Sequence, residues 1–347
     1  MRIGLALLVM AALLPFPIAF AEDPAAQAPA ATGANTVVVL VAPTPKPAPP
    51  VKMGREMNGH LFLPSHLIED PFSYTAFGMT FGLGSGIALG PKLQLQPPEI
   101  LPGSKWYGYT GIGVGFLQNI RFLEYLSARI AVSTTAYLGT GSGAVLTVGS
   151  SARITGDVGV KGSLPVGDHF RFSASFDASY GPVYSLLIAE GLVNAVNACR
   201  ANPTTCSIDL GEFLQQQDTI TWIGGLSGAW APLPYLGVIA NLQFIAPTKT
   251  GKASVSQNGL TFAGTVDFDA KPLLAWLPVG MNLTYSITSP IGGNGVTTTQ
   301  DFGVGFYYTG VPHLALGLEL DWKFNTLESK QAGESTLAWI NLRYYWN

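Results

Sequence analysis

The chain has 347 residues, 48% of them hydrophobic and only 11% charged, with a formal net charge of −3. Soluble domains carry about 25% charged residues, the apolar fraction excludes a disordered chain, and the charge balance offers nothing to nucleic acid or to an anionic membrane surface. No apolar run of about 18 residues follows the N-terminus, which excludes a helical membrane bundle and leaves a barrel whose apolar residues alternate with polar ones.

In chain order, residues 1–21 read as a secretory signal peptide. Arg2 supplies the positive start, Ile3 to Phe20 contains the apolar stretch, and Ala19-Phe20-Ala21 is a small-x-small cleavage site. Residues 22–56 are rich in Ala and Pro, densest from Pro43 to Pro50, and predict an extended periplasmic linker with no core of its own. Residues 57–70 form a pre-barrel segment, mildly apolar through His60-Leu-Phe-Leu-Pro-Ser-His66.

From residue 71 onward the dominant period is two, which sends alternate side chains to opposite faces of a strand. Between His169 and Tyr180, Phe170, Phe172, Phe176 and Tyr180 share one face, and Arg171, Ser173, Ser175 and Asp177 the other. Twelve such segments are predicted, near 71–84, 106–118, 125–138, 150–163, 168–180, 218–231, 234–246, 258–270, 275–287, 299–309, 312–325 and 334–346. Each reaches the roughly 9 to 11 residues that a tilted membrane-spanning strand needs. The connections alternate between long and short. The short ones, near 119–124, 164–167, 232–233, 271–274 and 310–311, all fall on one side, the pattern of periplasmic turns and extracellular loops. Trp106, Trp222 and Trp322 fall near one end of their strands and Trp230, Trp276 and Trp346 near the other, as two interfacial girdles would place them.

The long connection 181–217 is apolar from Val183 to Cys199 and predicts a helix, with a second over Ile208 to Gln217. Cys199 and Cys206 are the only two cysteines and lie between them. In an oxidising export pathway cysteines this close are expected to form a disulfide closing a helical hairpin; a metal site is disfavoured because no His is near in sequence, and a free thiol pair is the third reading. Leu186, Leu187, Glu190 and Glu212 are the candidate constriction or lid residues of that hairpin.

Inward positions carry the functional expectation. Arg129, Arg153 and Arg171 on neighbouring strands face Asp267, Asp301, Glu319 and Asp321 across the barrel, a transverse field that would orient solutes in a pore. The plainer reading is that these charges neutralise one another inside a polar lumen. Small inward residues, among them Gly113, Gly159, Gly303, Gly305 and Gly317, are expected to leave room for a narrow passage.

The last strand, Thr336 to Asn347, places Ala338, Ile340, Leu342, Tyr344 and Trp346 on one face and resembles the closing-strand signal of bacterial outer-membrane β-barrel proteins. It departs from that pattern in its final residue, Asn347, where an aromatic is usual. The resemblance covers about residues 71–347 and implies an all-β, antiparallel, up-and-down transmembrane barrel of about twelve strands. It also implies outer-membrane lipids as surroundings and the outer-membrane insertion machinery as a partner, in a Gram-negative cell. The functional expectation is a channel for small solutes, hydrophobic ones included because of the apolar loop helix, with a structural, tethering or adhesive barrel of closed lumen as the alternative. An outer-membrane lipase is disfavoured, because His60 and His66 precede the barrel and His169 and His313 open strands at the turn side, away from any serine-histidine chemistry. No cofactor, resident metal or catalytic residue is expected.

Overall fold

The computed structural model describes residues 54–89, 94–95, 99–100, 106–141, 144–145, 149–186, 188–201, 213–250, 258–291, 297–327 and 330–346. The signal peptide, and the linker up to residue 53, lie outside the described residues.

Twelve strands close into one barrel: β1 Thr75–Leu89, β2 Trp106–Leu123, β3 Leu126–Gly139, β4 Ser150–Val166, β5 Phe170–Leu186, β6 Leu214–Leu233, β7 Leu236–Thr250, β8 Gly259–Asp269, β9 Val279–Pro290, β10 Thr297–Tyr308, β11 Leu314–Leu327 and β12 Lys330–Trp346. Each is antiparallel to its neighbours in sequence. β12 closes on β1 with Gly333 opposite Ala88 and Trp346 opposite Thr75. No edge is left open, so every strand hydrogen-bonds on both sides, as lipid requires.

Period-two alternation becomes an inside and an outside. On β8, Leu260, Phe262 and Val266 are exposed, whereas Thr261, Ala263, Thr265 and Asp267 are buried. The exposed set continues around the barrel through Phe81, Ile112, Ile130, Val158, Phe172, Leu226 and Leu318. A continuous apolar outer surface of this kind is stable only against acyl chains. Aromatic pairs stack at its margins: Phe170 on Trp230 at 5.9 Å, Phe176 on Trp222 at 5.8 Å and Phe302 beside Trp322 at 5.8 Å. The seventh tryptophan, Trp339, points inward.

Several boundaries differ from the sequence expectation, β1 reaching Leu89 and β2 Leu123 among them, and three bear on the lumen and the long loop. The first strand begins at Thr75 rather than residue 71, because Pro71 to Tyr74 are buried inside the barrel. β5 runs on to Leu186 and β6 starts at Leu214, since Leu214 to Asp218 pair with Pro182 to Leu186 and the ladder satisfies both backbones. The expected helix is therefore shorter, α1 Ile188–Ala201, and the end of the second expected helix is strand. Two connections also depart from the length pattern: 270–278 is a longer turn coiled on itself by Leu273 and Leu274 N–H to the Ala270 carbonyl, and β11 meets β12 across only residues 328–329.

The hydrophobic core lies in the lumen. Met57, Phe62, Leu63, Ile68, Phe72 and Tyr74 of the N-terminal segment pack on inward Ala229, Ala231, Ile239, Ala263, Tyr307, Ala315 and Tyr345. Inward alanines on β6, β8 and β11 leave the width this segment fills.

Candidate functional site

The site is the lumen, and residues 54–74 occupy its turn-side half. The segment starts as a two-residue hairpin, Glu56–Met57 against His60–Leu61. Asn58 and Gly59 both adopt positive φ, +50° and +76°, the geometry that an Asn-Gly hairpin turn supplies without strain. The hairpin tip is tied to the turn rim by Asn58 Nδ2 donating to the Ala231 carbonyl at 3.0 Å, and Arg55 donates to the carbonyls of Phe62 and Pro312. The chain then crosses the lumen. Leu63 N–H donates to Asp267 at 3.3 Å, Asn282 to the Pro64 carbonyl at 3.2 Å, and Arg343 to the Ser65 carbonyl at 3.3 Å. Returning to the wall, Lys161 donates to the Asp70 carbonyl at 2.8 Å and lies 3.7 Å from Glu69, while Ser163 donates to the Pro71 carbonyl at 2.5 Å.

Most inward charges of the sequence expectation are thus engaged. Asp267 caps the Leu63 amide, and Glu319 and Asp321 flank His66. Asp301 pairs with Lys323 at 3.6 Å and Arg129 with Asp177 at 2.9 Å. Arg171 lies over the Phe72 ring, 5.2 Å from its centroid. Arg153 stays exposed, with its side chain beside Gly181. Asp267, Glu319 and Asp321 therefore face the bound segment rather than an open passage, whereas Asp301 pairs within the wall.

The small inward residues are seats rather than gaps. A Cβ on Gly82 or Gly113 would lie 2.3 and 2.7 Å from the Trp339 ring, one on Gly317 2.3 Å from Tyr307, and one on Gly305 2.3 Å from Asn282. Gly237 and Gly280 receive the segment itself, at His60 and Leu63.

Electrostatics of the segment divide it in two. Burial pushes His60 down to about 4, against a smaller pull from the Pro234 backbone; it sits edge-on to Phe62 at 4.7 Å, with both ring nitrogens outside hydrogen-bond geometry. Burial acts the same way on His66, but Asp321 and Glu319 overturn it and lift that imidazole to about 9. At Asp70, burial would raise the carboxyl; Lys161 and the Tyr74 hydroxyl hold it below the usual range. None of these contacts was visible in residues 57–70, although the Asn58-Gly59 pair is a recognised hairpin signal.

Beyond the segment lies a cavity of about 400 Å³. His66, Glu69 and Asp70 form its floor, and Arg129, Asp157 and Lys161 are among its walls. Of the expected loop residues, Leu186 ends β5 half-exposed. Leu187 and Glu212 lie outside the described residues, as does the side chain of Glu190 on α1. Cys199 is on α1 and Cys206 lies outside the described residues. Ala195 of α1 is buried, and Gly191 sits closely against Phe213. Ile340, Leu342, Tyr344 and Trp346 all face outward on the closing strand.

No protein-family model matches the chain, and no curated protein is similar to it. Among solved structures it is similar to a KdgM porin (11% identity over 77% of this chain and 99% of that one, TM-score 0.37). It is also similar to the COG4313 outer membrane channel from Pseudomonas putida F1 (10%, 82% and 99%, 0.46) and to a Pseudomonas aeruginosa FadL homologue (9%, 84% and 97%, 0.44). The architecture rests on the strand ladder itself: a closed ladder, an apolar outer belt between aromatic margins and a polar interior make this chain an outer-membrane β-barrel with an internal plug.

Proposed function

We propose that the protein is an outer-membrane channel for small polar solutes, closed at its periplasmic side by residues 54–74. The observation that carries this reading is the lumen cavity of about 400 Å³, floored by a segment whose backbone is tied to the wall by hydrogen bonds and whose Glu69 and Asp70 pair with Lys161. A cavity of that size suits a small ligand. Its charged lining favours polar solutes over the hydrophobic ones that the loop helix had suggested. Non-covalent polar anchors of this sort exchange for water without a large penalty, which suits a gate. The outward face of β12 supports its use as the signal read by the insertion machinery.

The closed-lumen alternative draws support from the apolar side of the plug, where Phe62 and Phe72 are each 1% exposed. Planar-bilayer conductance separates the two. The full chain is expected to show rare, small openings, and a variant lacking residues 54–70 to show frequent, larger steps. If both remain silent while migrating as heat-modifiable folded barrels, the channel reading fails and a structural barrel takes its place.

A further inference from the structure

We propose that His66 and Asp321, with Glu319 behind them, form a binding site for one divalent transition-metal ion of the zinc class, bridging the plug to the barrel wall. His66 is more than 250 positions from Glu319 and Asp321, which are alternate residues of β11, and the candidate ligand atoms of all three lie within 4.8 Å of one another. Glu319 meets the Nδ1 edge of the ring and also takes the His66 backbone N–H at 3.2 Å, which fixes the ring's orientation. That leaves Nε2 turned toward Asp321. This is the carboxylate–histidine–metal arrangement, in which one ring nitrogen is held by an acid and the other is offered to the ion.

Asp321 supplies a second, independent observation. It is only 2% exposed, and neither carboxylate oxygen accepts a hydrogen bond. Nε2 is 2.7 Å from Oδ2, close enough for a hydrogen bond but off its direction. In a tetrahedral site with each donor about 2.1 Å from the ion the two atoms would stand about 3.4 Å apart, so metal entry opens this pair by about 0.7 Å. Charge agrees as well. Two carboxylates and a neutral imidazole balance a divalent ion, and nitrogen-plus-oxygen ligands suit zinc, nickel or copper rather than calcium. His66 lines the cavity, which gives ions a route to its ring. On binding, the ion takes the Nε2 position and any proton there leaves to solvent.

The test uses the refolded full chain, stripped with chelator and dialysed against zinc alone, with metal measured by elemental analysis and affinity by calorimetry. One ion per chain is expected, with affinity falling at least tenfold in His66→Ala and Asp321→Asn and about tenfold in Glu319→Gln. The Trp339 ring lies 4.9 Å from His66, so copper(II) is expected to quench a fluorescence component that Trp339→Phe lacks. This second readout uses the native ligands and holds even where a ligand variant fails to fold. No stoichiometric ion in the folded wild type, or unchanged binding in His66→Ala, overturns the proposal; the latter assigns uptake to His169 or His313 at the turn rim. Binding does not depend on the gate reading. Only a fall in conductance on adding zinc rests on both, so a bound ion without effect on conductance counts against the gate alone.

Discussion

Trp339 and the glycines beneath it show how this lumen is built. A Cβ on Gly82 would meet the Trp339 ring at 2.3 Å, so Gly82→Ala must move a ring that packs beside His66. Overpacking of this kind costs about 1–3 kcal/mol. The expected result is a lowered urea midpoint in micelles and an altered near-ultraviolet tryptophan spectrum, whereas Gly156→Ala, which has open space around it, is expected to change neither. His60 adds a pH dependence at the same scale. Its folded pKa of about 4 lies below the ordinary 6.5, so its contribution to stability is whole above pH 6.5 and is lost as pH falls through about 4. The loss amounts to roughly 3 kcal/mol. Urea midpoints measured from pH 7 to 4 are expected to fall more steeply in the wild type than in His60→Leu; parallel curves would show that His60 takes up its proton as readily in the docked plug as in the unfolded chain.

Among the elements, the plug is the one whose anchors can be removed individually. Lys161 is buried and serves both Asp70 and Glu69, so Lys161→Met leaves two carboxylates without their cation. Removing one partner of a buried pair costs on the order of 3 kcal/mol. That cost falls on the docked state, so the open probability in planar bilayers is expected to rise while the barrel remains heat-modifiable. At the opposite rim, the pairing of Cys199 with Cys206 is a proposal from their closeness in sequence and the oxidising route. Peptide mapping without reductant is expected to recover both cysteines in one linked fragment, and separate alkylated peptides would refute the pairing. The plug was hard to read in advance because residues 57–70 are neither periodic nor long. A short strap that buries side chains on all sides carries no period, and only Asn58-Gly59 marks its turn.

For the molecule as a whole, the alternating residues decided the fold before any contact was known. A strand buried on one side by lumen and on the other by lipid must alternate, and twelve long alternating runs joined by short and long connections have few other ways to satisfy their backbones. That is why the strand number, the antiparallel order and the girdle positions of Trp222, Trp230 and Trp322 were legible from the residues alone. What fills the barrel was not. Whether Glu319 and Asp321 face water or a histidine depends on where residue 66 comes to rest, more than 250 positions away in sequence. Whether Gly82 is a gap or a seat depends on a tryptophan two strand faces meet. Local period fixes which way a side chain points, but only closure of the ladder, and the chain threaded through it, determines what it meets there.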